Sequence, residues 1–230
     1  MSAGRAHVLG AIRASLRRPA LDEAKAAPLN ARLKAPQANL VPARADLPRP
    51  RQLDLFVRQA EGLAATVSRV NNAAAVPAAI ADYLAERNLP SRLRIAPDNY
   101  LRTLPWGQRP LLSVVEGRAD PSDAVSVTPA FAAVAETGTL MLISGPAWPT
   151  TLNFLPDVHI VVLRSGQVVG PFEAAWTCLR RYAEEKGWPR AVNFISGPSR
   201  TADIGQELIM GAHGPRRLHI VLVDDEEATI

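Results

Sequence analysis

Three short runs of this 230-residue chain bring hydroxyls, a carboxylate, a guanidinium and an imidazole together with glycine. The first is Ala135-Glu136-Thr137-Gly138-Thr139. Glu136 is the only carboxylate between Asp123 and Asp157, and a lone carboxylate beside two threonine hydroxyls can act as a general base or accept a substrate hydroxyl. Gly138 lets the backbone turn, or approach a ligand, without a Cβ clash. The same residues also suit a hairpin turn with a solvated glutamate. The second run is Ser196-Gly197-Pro198-Ser199-Arg200-Thr201-Ala202-Asp203-Ile204. Its hydroxyls, accessible backbone and planar guanidinium suit a carboxylate or phosphate. A helix starting at Thr201 or Ala202 would add free N–H groups and a dipole. The plainer reading is a helix cap by Ser199 or Thr201 with Asp203 in the first turn, which leaves Arg200 without a role.

The third run, Gly211-Ala212-His213-Gly214-Pro215, holds an imidazole on a tight loop, where it could move protons near neutral pH. His159 is the other imidazole candidate. No catalytic residue is assigned: Glu136, His159 and His213 are the candidates. The substrate-binding set is Glu136, Thr137, Gly138, Thr139, Ser196, Gly197, Ser199, Arg200, Thr201, Asp203 and His213. His213 and His219 lie six apart across a proline, which is not a metal-ligand spacing, so no metal is expected. His219 alternates within a strand and reads as a packed residue, and Cys178 reads as a helix packing residue. Neither a Walker loop nor a G-x-G-x-x-G is present.

Elements must position these runs. Apolar spacing predicts a short helix from His7 to Leu16, stopped by Pro19, and then an extended Pro-rich linker over residues 19–50. The domain proper is expected over 51–230, with residues 1–50 as an arm. Leu53, Phe56, Val57, Ala60, Leu63, Ala64 and Val67 mark one long helix. Another helix follows Pro77, and a third covers Phe172–Lys186, ended by Gly187. Apolar runs at Leu93–Ala96, Leu111–Val115, Ala124–Thr128, Thr139–Ser144, Val158–Leu163, Ala191–Ile195 and Leu218–Val223 read as buried strands. The pattern is a three-layer α/β fold with a mostly parallel sheet covered on both faces. Part of that sheet is expected to be mixed, because Thr139–Ser144 and Val158–Leu163 lack a full intervening helix. Ligands in such sheets collect at the carboxyl ends of strands.

Composition sets the bounds. With 47% hydrophobic and 21% charged residues the chain is ordinary globular material, and wholesale disorder is excluded. A single cysteine excludes an internal disulfide and any cysteine-held cluster within this chain. No apolar run reaches the roughly 18 residues a membrane span needs, and no signal-peptide block opens the chain, so a cytoplasmic protein without membrane association is expected. The overall +4 charge is uneven: residues 1–60 hold 11 basic and 4 acidic side chains, residues 61–230 hold 15 and 18. Without a binding motif or aromatic platform this basic front argues against nucleic acid.

Taken in order, the three runs, together with Leu155-Pro156-Asp157-Val158-His159-Ile160 and Leu218-His219-Ile220-Val221-Leu222-Val223, resemble the LUD-domain (lactate-utilisation) family, in particular its small C-type subunit. The Ser-Gly-Pro-Ser-Arg-Thr-Ala-Asp-Ile run is the most specific part, and the resemblance spans about residues 50–225. It implies a fold similar to the NagB/RpiA/CoA-transferase-like group. It also implies participation in oxidising L-lactate to pyruvate beside two iron–sulfur partner subunits. This chain lacks the cysteine-rich segment of larger members, so no cofactor is expected in it and the clusters belong to the partners. The expected ligand is a small carboxylate or a phosphate-bearing compound, gripped by Arg200 while Glu136 or a neutral histidine takes a hydroxyl proton. A stand-alone enzyme on a phosphorylated or CoA-linked carboxylate, or a purely structural assembly subunit, are the alternatives, and a homo-oligomer is compatible with each.

Overall fold

The computed structural model describes residues 3–17, 21–201 and 209–224. They group into two units, residues 1–40 and 41–230. In the first, α1 (Ala3–Ser15) carries Val8, Leu9 and Ile12 as exposed side chains. The expected stop at Pro19 lies outside the described residues. A second helix, α2 (Glu23–Lys34), replaces the extended linker expected there. Asp22 caps it by accepting the Lys25 N–H at 2.8 Å, alanine and leucine favour it, and Arg32 and Lys34 suit its carboxyl end. Pro28 removes one helical hydrogen bond, which these preferences outweigh.

The second unit opens with α3 (Arg49–Gly62), which buries Phe56 and Ala60. The helix stops earlier than its apolar stripe predicts. Ala64 adopts a left-handed φ of 67° and the Ala65 N–H closes back on the Ala60 carbonyl at 3.1 Å, the usual glycine-type helix ending made here by alanine. Val67 therefore belongs to β1 (Thr66–Val70), not to the helix. Then follow α4 (Val76–Glu86), β2 (Arg92–Ile95), α5 (Asn99–Thr103), β3 (Ser113–Glu116), β4 (Val125–Pro129), β5 (Ala132–Val134) and β6 (Thr139–Ile143). The chain continues through α6 (Thr151–Phe154), β7 (Val158–Arg164), β8 (Val168–Val169), α7 (Phe172–Lys186) and β9 (Val192–Ile195). It closes on β10 (Arg200–Thr201), β11 (Ile209–Met210) and β12 (Arg217–Val223).

Six strands make one parallel sheet in the order β1-β12-β7-β4-β2-β3. The period-two alternation of a strand splits its side chains between two cores. Val158, Ile160 and Val162 of β7 face α4, α5 and α6, whereas Val161 and Leu163 face α3 and a second sheet. Burial on both faces is why these strands read as unbroken apolar runs. The second sheet, β8-β5-β6-β9, is mixed. Its other side, with Val134, Met141 and Ile143, packs on Ala175 and Leu179 of α7. The two runs without a full intervening helix, Thr139–Ser144 and Val158–Leu163, lie in different sheets, and the mixed pairing is in the second. Pro129, which has no N–H for the ladder, ends β4 where the chain crosses from the first sheet to the second.

Candidate functional site

β7 places His159 on the α3 side of the parallel sheet, opposite Leu218 of β12 in register. Both form the floor of a cavity of about 200 Å³. Its walls come from three separate segments: Asn153 and Phe154 of α6, residues 194–199 leaving β9, and His213 to Pro215 ahead of β12. Ser199 clips the last two together. Its N–H donates to the Pro215 carbonyl and its carbonyl accepts the Gly211 N–H, both at 2.9 Å. Its hydroxyl accepts the His213 N–H at 3.3 Å. The cavity therefore brings His159, Ser196, Gly197, Ser199 and His213 together, and leaves the His213 ring exposed at its mouth.

His159 itself is fully buried. Its Nε2 meets the Thr128 hydroxyl at 2.7 Å, while Nδ1 has no hydrogen-bond partner among the described residues. Burial lowers its pKa to about 3, so the ring is neutral at physiological pH. His219 is buried on the opposite face, stacked on Tyr83 with ring centroids 3.8 Å apart and bonded through Nδ1 to Thr66 at 2.8 Å. Burial, helped by the Arg87 charge, lowers its pKa to about 4. It is the packed histidine its alternation predicts.

The first run reaches the cavity through hydroxyls. Thr137 Oγ1 meets Thr139 Oγ1 at 2.7 Å, and Thr139 Oγ1 meets Ser196 Oγ at 2.7 Å. Glu136 points elsewhere. It receives the Arg44 guanidinium at 2.9 Å and the Phe172 N–H, at the amino end of α7, at 3.4 Å, a carboxylate placed against the positive end of a helix dipole. Arg200 is exposed and donates to the Leu63 carbonyl at 3.4 Å. Neither side chain borders the cavity. Gly138 and Gly197 hold positive φ of 64° and 82°, yet what each approaches is α3. A Cβ on Gly138 would lie 2.4 Å from Ala60 N, and one on Gly197 would lie 2.2 Å from Leu63 O. Their freedom is spent on docking the loops against the helix end. Thr201 lies in β10, paired with Ile209 of β11, not at a helix start. Asp203 lies outside the described residues.

The cavity sits at the amino ends of β7 and β12, not at the carboxyl ends where ligands of such sheets were expected. Asn153 and Thr128 were missed in the sequence. Alternation puts Thr128 on the face of Ser126, but the register of Ser126 with His159 that brings it to the site is set by the fold; Asn153 carried no signal. Among the described residues no group of three or more histidine, cysteine, aspartate or glutamate side chains could hold a metal. No described helix is long and apolar enough to cross a membrane.

Residues 118–223 match the model of the LUD domain. The chain is 42% identical over 94 residues to lactate utilization protein C of Bacillus pumilus, covering 40% of this chain and 39% of that protein. It is 32% identical over 121 residues to lactate utilization protein C of Shouchella clausii, covering 53% and 52%. The alignments thus span about two fifths to half of these relatives' length. A crystal structure of a DUF162 family protein from Deinococcus radiodurans superimposes with a TM-score of 0.56 at 24% identity, over 77% of this chain and 99% of that one, which is likeness of fold. Residues 118–223, the stretch that matches the LUD domain, carry β4 to β12 and every wall of the cavity.

Proposed function

We propose that this chain serves lactate utilisation by holding a small 2-hydroxy or 2-oxo acid in the His159–His213 cavity, with the redox centres carried by iron–sulfur partner proteins. The observation that carries the reading is the cavity itself, which gathers hydroxyls and imidazoles from three separate chain segments around one small space. Names borne by relatives supply the acid: two are called lactate utilization protein C. A 2-hydroxy acid needs hydrogen-bond partners for its carboxylate and its hydroxyl. Ser196 and Ser199 offer hydroxyls, and His213, free at the mouth, can take the hydroxyl proton as the carbon is oxidised. The Cα hydrogen leaves as a second proton, taken up by solvent water, and the two electrons go to clusters elsewhere, since one cysteine cannot bind a cluster. Arg200 would contribute only by releasing the Leu63 carbonyl, and Glu136 only by releasing Arg44.

Calorimetric titration of L-lactate and pyruvate tests this. The wild type is expected to bind one or both, and His213→Ala and Ser199→Ala to lose roughly tenfold or more in affinity, as for a hydrogen bond to a charged group. His213→Ala, at an exposed position, should leave stability within about 0.5 kcal/mol of wild type. Unchanged acid binding in both variants removes the cavity from the reading. Affinity purification from the native cell tests the partners, which are expected to arrive with visible iron–sulfur absorption.

A further inference from the structure

The carboxyl ends of β2, β4 and β7, away from the cavity above, hold a second crevice of about 210 Å³. Rings line it: Tyr100, Phe131, Trp148 and Tyr182. Phe131 meets Tyr182 edge-on at 5.5 Å, and Trp148 lies tilted 6.4 Å from the same ring. Arg164, the last residue of β7, lays its guanidinium 4.8 Å over the Tyr100 ring. Among the described residues no carboxylate lies within ion-pair distance of it, whereas Arg94 is paired with Asp123 at 2.7 Å. A half-buried guanidinium stacked on one face keeps its N–H edge for a partner. Asp98 also lines the crevice, but it accepts the Trp148 Nε1–H at 3.0 Å and caps α5.

Trp148 and Tyr182 border a second, larger groove of about 730 Å³ as well. Among the described residues that groove contains Arg118, Lys186 and Arg190 and no acidic residue, and none of the three cations is in an ion pair. Trp188, 65% exposed, stands at its side. The two spaces differ in charge. In the crevice Arg164 and Asp98 bring opposite charges, so its aromatic lining suits a neutral flat ring. In the groove three cations add, so an anion fits there.

We infer that crevice and groove form one binding site for a phosphate ester carrying a flat ring, the chemistry of a nucleotide, with the ring against Trp148 and Tyr182, its polar edge read by Arg164, and the phosphate held by Lys186, Arg190 and Arg118. The inference is independent of acid binding at His213.

Calorimetry with AMP, ADP, adenosine and pyrophosphate decides it. AMP or ADP should bind at least roughly tenfold more tightly than adenosine or pyrophosphate, since each of those fills half the site. The exposed double variant Lys186→Ala/Arg190→Ala should lose roughly tenfold or more for AMP and weaken its salt dependence. Arg164→Gln should weaken AMP while leaving pyrophosphate unchanged, with thermal unfolding checked for both variants. His213→Ala should bind AMP like wild type, which separates this site from the acid cavity. No heat with millimolar AMP or ADP overturns the inference, as does pyrophosphate binding as tightly as AMP or AMP binding equally to both variants.

Discussion

His159 and His219 are neighbours across one ladder of the parallel sheet and lie on its opposite faces. Both are buried, both are neutral through desolvation, and each keeps one ring nitrogen without a partner among the described residues. Chemistry at the level of the residue does not separate them; their surroundings do. His219 is sealed under α4 by the Tyr83 ring, within a continuous core. His159 lies beneath loops that meet as three separate segments and leave a gap. A buried imidazole marks a site only where the packing above it is incomplete.

The two faces can be set against each other by experiment. The largest effect is expected where the His159 face is clipped to α3. Gly197→Ala and Gly138→Ala combine a strained φ with a backbone overlap and should each cost about 3 kcal/mol or more in denaturant unfolding. A loss under about 1 kcal/mol would mean the loops are not docked on the helix end. Next, His219→Ala opens a void in solid packing and should cost about 2–4 kcal/mol. His159→Ala borders a gap already present and should cost about 1–2 kcal/mol, chiefly the Thr128 bond. Equal losses would erase the distinction between the faces.

An effect shared by both faces is with pH. Both histidines have folded pKa values below the unfolded 6.5, so the unfolded chain binds more protons in acid. Their stabilisation is full above about pH 6.5 and declines as pH falls towards 4 and 3, at about 1.4 kcal/mol per unit. At pH 4.5 each should account for about 2–3 kcal/mol of lost stability. His159→Leu and His219→Phe, followed by denaturant melts from pH 7 to 4.5, should each flatten the slope. An unaltered slope would place the acid sensitivity elsewhere.

Much of the frame was legible because burial on both faces writes apolar runs directly into the sequence. The runs at Val158–Leu163 and Leu218–Val223 are central strands β7 and β12, and Phe172–Lys186 is α7 to the residue. What stayed hidden has physical causes. The end of α3 is made by Ala64 in a left-handed conformation, a place where glycine normally gives the signal, so β1 was absorbed into the helix. The split into two sheets depends on strands of two or three residues, β5 and β8, too short to show a period. Within the candidate site, residue types were legible and directions were not. Glu136 and Arg200 looked like ligand contacts by type, but the first faces Arg44 and α7 and the second reaches the Leu63 carbonyl. Gly138 and Gly197 did mark close approaches, to a helix.

The row Thr137, Thr139, Ser196 has a polarity. A hydroxyl has one hydrogen to give and can accept two, so Thr139 can donate to only one of its two neighbours, Thr137 and Ser196. If Ser196 donates to a guest, Thr139 must donate to Ser196 and Thr137 to Thr139. If the guest donates instead, Ser196 is free to turn its hydrogen on Thr139, and the order along the row is no longer forced. A guest that accepts from Ser196 thereby fixes the hydroxyl of Thr137, two bonds away from the place of entry.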